Sequence, residues 1–184
     1  MLAIQEKSKK DKPMGNTHFK FMEKHFKKRD KKYPPINKIE KTKIKKGSIV
    51  LDYGCGPGSY SITAAEVVGN TGKVYAADIH PLAIEEVKKR AKEKNLKNVE
   101  TILTDCDTSL EDNIIDVVLL LDIYHDLSDT ESILKELHRV LTKEGWLSVD
   151  DHHFKDDEIV GKISSIGLFK FVERIDEVFN FIKV

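Results

Sequence analysis

Apolar runs of strand length alternate with amphipathic stretches of helix length from Lys46 to the end of the chain. The runs are almost continuously apolar, which is typical of strands buried on both faces by crossover helices. The predicted strands cover residues 48–53, 73–78, 99–104, 115–121 and 146–151. Repeated strand, helix and strand units of this kind predict an α/β fold around a parallel sheet.

Helix signals lie between the later strands and after them. The Ser-x-x-Glu pattern that begins at Ser128 is a capping box and predicts a helix with Ser128 as its N-cap, which Gly145 is expected to end. A further helix is expected around residues 158–165. The apolar runs 168–173 and 178–184 are joined by a short polar link, so they predict a closing antiparallel hairpin.

Residues 1–46 differ from the rest of the chain in charge. They hold 16 Lys and Arg against 5 Asp and Glu, a net charge of +11, whereas residues 47–184 hold 15 against 26. Within this segment Phe19, Met22 and Phe26 fall on one stripe of a predicted helix, with lysines nearly opposite. We expect a basic helical appendage over 1–46 and one domain over 47–184. The appendage is either a lid on the acidic domain or an arm for nucleic acid or an anionic membrane.

Composition excludes several classes of protein. No stretch approaches the roughly 18 to 20 apolar residues of a membrane helix, and residues 1–12 lack the apolar centre of a signal peptide. A cytoplasmic location without a membrane partner is expected. Cys55 and Cys106 have no zinc-ligand spacing, so disulfide and zinc-finger scaffolds are set aside.

The segment from Ile49 to Ser59 combines a predicted strand, a glycine-rich turn and the start of a helix. Glycine adopts positive φ and allows close backbone approach to a ligand, while a helix N-terminus favours an anion. Such a turn is also found in a purely structural role. Asp78 ends the second predicted strand, where a carboxylate either accepts hydrogen bonds from ribose hydroxyls or caps the next helix.

This acidic-x-Gly-x-Gly-x-Gly motif, from Asp52 to Gly58, resembles that of the class I S-adenosylmethionine-dependent methyltransferases. Within that family the chain is similar to the ubiquinone and menaquinone biosynthesis group, over about residues 47–184. The run Leu137-His138-Arg139-Val140-Leu141 followed by Gly145-Trp146-Leu147 belongs to the same resemblance. It implies a Rossmann-like sheet of seven strands, mostly parallel, with helices on both faces and a C-terminal antiparallel hairpin.

The resemblance also implies the cofactor S-adenosyl-L-methionine and its contacts. The methionine part of the cofactor would lie against Gly54, Gly56 and Gly58, and Asp52 would help to hold its ammonium group. Asp78 would bind the ribose hydroxyls. These residues follow the first two predicted strands, at the edge where an open parallel sheet binds its ligands.

The remaining implied contacts follow the second, third and fourth strands. Ile79 would lie against the adenine ring, and Asp105 would lie at the adenine amino edge together with the backbone of Cys106. Leu121 and Asp122 would form the wall beside the sulfonium. The reaction implied is methyl transfer by in-line displacement, in which orientation of the reactants is the main source of the rate.

A general base is needed mainly where the methyl acceptor must lose a proton. His125 follows the fourth strand and is the candidate base; its alternative role is a hydrogen bond within the loop. His152 and His153 follow the fifth strand and should approach the same rim. Histidines and carboxylates together suit a divalent metal ion. No metal is expected, because the acidic pattern differs from that of catechol-type methyltransferases.

The sequence thus predicts an S-adenosylmethionine-dependent methyltransferase that acts on a small intracellular molecule. An RNA methyltransferase that uses the basic N-terminal helix is one alternative, and a non-catalytic cofactor-binding module is another. Nucleic acid is not the expected partner, because the chain lacks the Asn/Asp-Pro-Pro-Tyr/Phe and Pro-Cys motifs of base methylation. Nothing in the sequence indicates an oligomeric state.

Overall fold

The computed structural model of the protein describes residues 11–184. The strands are β1 (Ile49–Tyr53), β2 (Lys73–Asp78), β3 (Val99–Leu103), β4 (Ile115–Leu121), β5 (Leu141–Asp150), β6 (Phe169–Ile175) and β7 (Val178–Lys183). The helices are α1 (Asn16–Lys32), the single turn α2 (Ile36–Ile39), α3 (Ser59–Val68), α4 (Pro81–Glu93), α5 (Thr130–Val140) and α6 (Asp156–Ser164). Across residues 11–184, no helix combines the length and the apolar character that crossing a bilayer requires.

All seven strands form one sheet in the order β3-β2-β1-β4-β5-β7-β6. The five strands from β3 to β5 in this order pair in parallel, while β7 pairs antiparallel with both β5 and β6. The strand order reverses between β1 and β4, and the carboxyl ends of both strands border a crevice there. The predicted Rossmann-like fold with its antiparallel C-terminal hairpin is confirmed.

Strand β4 is apolar along its length because both of its faces are covered. Val118 and Leu120 pack in one cluster with α5 and α6, whereas Val117, Leu119 and Leu121 pack in the other with α2 and α3. All five side chains are at most 5% exposed. Burial on two faces removes the alternation that a solvent-facing strand would show.

The N-cap of α5 is one residue later than predicted. Asp129, not Ser128, occupies the cap, and its carboxylate accepts a hydrogen bond from the Ser132 N–H at 3.0 Å. The Ser128 N–H is held elsewhere, 3.2 Å from both carboxylate oxygens of Asp11. A carboxylate at the cap also favours the positive end of the helix.

The end of α5 is also earlier than predicted. The helix ends at Val140, and Gly145 lies within β5. The register between β4 and β5 shifts near Ile115, so the start of β5 contains an irregularity. A Cβ at Gly145 would lie 2.7 Å from the Leu141 side chain and 2.9 Å from the Thr142 carbonyl oxygen. The glycine signal therefore marks this distortion of the strand.

Helix α1 docks on the sheet domain through one buried aromatic side chain. Phe19 is 2% exposed, and its ring stacks on the His80 ring with centroids 4.4 Å apart. At the other end of α1, the Ser59 hydroxyl donates a hydrogen bond to Asp30. Phe21, by contrast, is 66% exposed on the opposite side of the helix.

Replacement of Phe19 should therefore loosen α1, while the same replacement of Phe21 should not. Truncation of a buried phenylalanine costs roughly 3 to 5 kcal/mol, and a change at an exposed site costs within about 0.5 kcal/mol. We expect faster hydrogen exchange at the α1 amides in Phe19→Ala and wild-type exchange in Phe21→Ala. Equal exchange in the two variants would contradict this docking.

Candidate active site

The turn between β1 and α3 is shaped by its three glycines. Gly54, Gly56 and Gly58 all have positive φ, at 75°, 51° and 82°. A Cβ at Gly54 would lie 2.4 Å from Ile123, and a Cβ at Gly58 would lie 2.7 Å from Val87. Two of the glycines thus allow neighbouring elements to pack against the turn.

Gly56 has a different surrounding from the other two glycines. The nearest atom to a Cβ at this position would belong to the Phe26 ring of α1, at 3.5 Å. Gly56 also lines a cavity of about 440 Å³. Its missing side chain leaves room for a ligand between the turn and α1, which is the arrangement that a glycine-rich binding turn needs.

Asp78 connects this turn to the end of β2. Its Oδ2 accepts a hydrogen bond from the Gly56 N–H at 2.8 Å, and its Oδ1 accepts one from the His80 N–H at 2.7 Å. Burial raises the pKa of Asp78, while these backbone hydrogen bonds act in the opposite direction. The carboxylate keeps acceptor capacity for further donors in the cavity.

His80 was missed by the sequence analysis. It is the N-cap of α4, where its Nδ1 accepts a hydrogen bond from the Leu82 N–H at 3.1 Å. Since Nδ1 accepts, Nε2 carries the proton and donates to the Met14 carbonyl oxygen at 2.9 Å. The imidazole lines the cavity and holds the segment before α1. Its position directly before Pro81 was the available signal for the cap.

The cavity lies at the carboxyl edge of the parallel strands, under α1. Most of the residues predicted to contact cofactor or acceptor lie on its wall. They are Gly54, Gly56, Asp78, Ile79, Asp105, Leu121, Asp122 and His125. Its volume of about 440 Å³ is within the range of small-molecule sites.

Three of the residues predicted to contact the cofactor do not lie on the cavity wall, and neither does His152. Gly58 packs under Val87, and Cys106 is half-buried with its N–H donating to Thr104 Oγ1 at 3.1 Å. Asp52 is 2% exposed and accepts a hydrogen bond from the Ser61 hydroxyl. Their contacts with the cofactor stay predictions. Asp52 can affect the cavity only indirectly, by positioning the turn that follows it.

Helix α1 forms the wall of the cavity opposite the sheet. Phe19, Met22, Phe26 and Arg29 all line it. The apolar stripe that the sequence predicted thus faces the cavity. Lysines of the same helix, such as Lys28, are exposed.

A second polar cluster follows β4 and β5. The Asp151 side chain is fully buried. Its Oδ2 lies 2.9 Å from both the backbone N and Nδ1 of His125, and its Oδ1 lies 3.1 Å from the same two atoms of His153. Burial opposes ionisation, but these hydrogen bonds outweigh it and lower the pKa of Asp151. An ionised carboxylate only accepts, so each Nδ1 carries a proton.

This cluster fixes the orientation of His125. With Nδ1 donating to Asp151, neutral His125 presents the lone pair of Nε2. His125 and His153 both line the cavity, and their ring centroids are 3.7 Å apart. His152 is more exposed, with Nδ1 2.7 Å from Oδ1 of Asp122. His125 thus both makes a hydrogen bond within the loop region and lies on the cavity wall.

The same cluster offers atoms to a metal ion. One potential ligand atom from each of Asp122, His125, Asp151 and His153 lies within 4.8 Å of the others. Both oxygens of Asp151 already accept hydrogen bonds from the imidazoles. The expectation that no metal is used stays a prediction, and a chelator tests it below.

Known proteins share this fold and parts of this sequence. Residues 44–170 match a protein family described as a methyltransferase domain. A demethylmenaquinone methyltransferase of Geobacillus stearothermophilus is 32% identical over 112 residues, which are 60% of this chain and 47% of that protein. An (S)-coclaurine N-methyltransferase of Thalictrum flavum subsp. glaucum is 29% identical over 111 residues, or 60% of this chain and 30% of that protein. The chain spans less than half the length of these two curated relatives.

A solved structure gives the same result for the fold. The crystal structure of a SAM-dependent methyltransferase from Aquifex aeolicus matches with a TM-score of 0.80 at 24% identity, over 92% of this chain and all of that one. At this identity the likeness concerns the fold. The seven-stranded sheet described above belongs to that shared fold.

Asp52 gives a prediction that needs no ligand. Burial raises the pKa of this carboxyl to about 7, with the Asp78 charge adding to the rise and the Ser61 hydrogen bond opposing it. An unfolded aspartate titrates near pH 4, so the contribution of Asp52 to the free energy of unfolding should fall between about pH 4 and 7, because the unfolded chain loses this proton first.

The variant Asp52→Asn carries no charge and keeps an acceptor for Ser61. The difference in free energy of unfolding between this variant and wild type should therefore shift in favour of the variant by up to about 3 kcal/mol as the pH rises from 5 to 8. Urea unfolding at the two pH values measures this difference. An equal difference at pH 5 and pH 8 would show that Asp52 does not titrate in this range.

Proposed function

The chain belongs to the class I S-adenosylmethionine-dependent methyltransferases, and on this premise we propose that it transfers a methyl group to a small-molecule acceptor by in-line displacement. The observation that carries the proposal is the cavity of about 440 Å³ between the glycine turn, the carboxyl edge of the sheet and α1. The cofactor, when bound, supplies a methyl group on a positively charged sulfur. A cytoplasmic location stays a prediction from the sequence.

The residues proposed to bind the cofactor lie on the side of the cavity formed by the ends of β1 and β2. Gly56 offers space and backbone against the methionine part, since a Cβ there would have only the Phe26 ring within 4 Å among residues 11–184 beyond its chain neighbours. Asp78 accepts two backbone hydrogen bonds and has lone pairs left for two ribose hydroxyls. Ile79, next to it on the wall, offers an apolar surface to the adenine ring.

The acceptor is proposed to enter beside Leu121, Asp122 and His125, which lie on the wall after β4. Orientation of the attacking atom against the methyl carbon is the main contribution, worth roughly 7 to 11 kcal/mol for well-oriented reactants. Where the attacking atom must lose a proton, His125 Nε2 takes it. Asp151 holds the ring in the tautomer that this step needs.

We assign residues 47–184 to the cofactor-binding domain and the helical part of residues 1–46 to a lid. Support comes from the four α1 side chains on the cavity wall and from the Asp30 contact with Ser59. A small-molecule acceptor agrees with the names of the curated relatives, which refer to coclaurine and to demethylmenaquinone. Methyl transfer to RNA and not to a metabolite would favour the nucleic-acid alternative, and cofactor binding without methyl transfer would favour the non-catalytic one.

Cofactor binding is tested by calorimetry with S-adenosylhomocysteine. Gly56→Val fills the space at the turn and should abolish binding, while Asp78→Ala should weaken it by roughly 1.5 to 3 kcal/mol. Gly161→Val is the matched control, since a Cβ at Gly161 in α6 meets no atom within 4 Å. Wild-type affinity in both site variants would contradict the assignment of Gly56 and Asp78 to the cofactor site. Competition by NADH would contradict the identity of the cofactor.

The proton-transfer step is tested once a metabolite screen with radiolabelled cofactor has identified the acceptor. His125→Ala should reduce methyl transfer about 100-fold or more if His125 is the base, with unchanged affinity for S-adenosylhomocysteine. His138→Ala, on α5 and away from the cavity, is the control. A loss below about tenfold would limit His125 to shaping the pocket.

A chelator completes this test. We expect turnover to be insensitive to chelation, because the cluster is already joined by hydrogen bonds around Asp151. Turnover that disappears with the chelator and returns with a divalent ion would overturn this expectation. Asp122, His125, Asp151 and His153 would then be its ligands.

Cofactor binding without any methyl transfer to a metabolite or to RNA would favour the non-catalytic module.

A further inference from the structure

The charges around the cavity are unevenly distributed. Five carboxylates of the described chain lie on its wall, at Asp11, Asp78, Asp105, Asp122 and Asp126. Only two permanently charged cations accompany them within residues 11–184, Lys12 and Arg29. Carboxylates suit the ammonium, sulfonium and ribose groups of the proposed cofactor. Its amino-acid end also carries a carboxylate, which needs a cation or several N–H donors.

Arg29 lies at the end of the cavity that contains the glycine turn. Its guanidinium is 4.2 Å from the ring centroid of Phe26, and Phe26 is the side chain that faces Gly56. The guanidinium is also 5.3 Å from the ring centroid of Tyr60 in the first turn of α3. Lys12, the other cation, precedes Met14 by two residues in the sequence. The Met14 carbonyl oxygen accepts a hydrogen bond from His80, which places this segment at the β2 side of the cavity.

The guanidinium is held in place without using all of its donors. Nε and Nη2 donate to Asp30 Oδ1 at 3.1 and 2.9 Å. The other oxygen of Asp30 accepts from the hydroxyl of Ser59, the first residue of α3. Within residues 11–184, Nη1 makes no hydrogen bond. Arg29 is thus fixed against the start of α3 with three N–H groups left for an anion, two of them on Nη1.

From this arrangement we propose that Arg29 binds the carboxylate of the methionine part of the cofactor. The inference rests on the proposed function and extends it, because it makes α1 a part of the cofactor site. Asp30 positions the guanidinium and also joins α1 to α3. Binding of the cofactor then adds a contact that holds the lid closed over the cavity.

The test compares two ligands that differ only in this carboxylate. Calorimetry measures the binding of S-adenosylhomocysteine and of its decarboxylated analogue to the full chain. Wild type should bind S-adenosylhomocysteine more tightly than the analogue. Arg29→Met should lose roughly 10- to 100-fold in affinity for S-adenosylhomocysteine, the range of hydrogen bonds to charged groups, and keep its affinity for the analogue within about threefold.

Two further variants separate this contact from charge and from folding. Lys28→Met removes the same charge from an exposed neighbour on α1 and should change neither affinity. Arg29→Lys keeps the charge and should recover part of the selectivity for the carboxylate. An equal loss for both ligands in Arg29→Met, or no loss for either, would overturn the proposal. Absence of binding to wild type would instead refute the proposed function.

Discussion

The Asp78 carboxylate is the contact on which the cavity depends, because each of its oxygens holds a different wall. One oxygen accepts from the Gly56 N–H in the turn after β1, and the other accepts from the His80 N–H before α4. The His80 ring in turn stacks on Phe19 of α1. One side chain thus joins the glycine turn to the end of β2 and, through His80, to helix α1. Two occupied positions on a carboxylate leave acceptors for ribose hydroxyls.

The opposite side of the cavity is built on the same principle with a second carboxylate, Asp151, which is buried. Asp151 follows β5 and binds the backbone and Nδ1 of both His125 and His153. Parallel strands bring all their carboxyl ends to one edge, so acidic residues at strand ends converge there. Hydrogen bonds from fixed donors keep Asp151 ionised, whereas at Asp52 burial outweighs the hydrogen bonds from Ser61 and raises the pKa to about 7.

The fold could be predicted because its signals are local. Continuous apolar runs gave the buried strands, and the glycine motif gave the turn with positive φ at Gly54, Gly56 and Gly58. The predicted N-cap of α5 was wrong because Asp129 competes with Ser128 for that position. The predicted end of α5 was wrong because a glycine such as Gly145 also suits a distorted strand. Local patterns that serve two structures cannot separate them.

The contacts that organise the site are long-range, which explains why the sequence indicated its location better than its connections. His125 and Asp151 are 26 residues apart with α5 and β5 between them, and His80 contacts Met14, which is 66 residues before it. The stripe of Phe19, Met22 and Phe26 predicted an amphipathic helix with a lid as one of two roles, and the packed structure places this stripe on the cavity wall. No local pattern encodes such a partner.

The most direct test of this account is a crystal structure of the chain with S-adenosylhomocysteine. We expect ligand density in the cavity between Gly56 and α1, with the ribose hydroxyls within hydrogen-bond distance of Asp78 and the thioether sulfur toward Leu121. Density outside this cavity, or a ribose that does not contact Asp78, would contradict it.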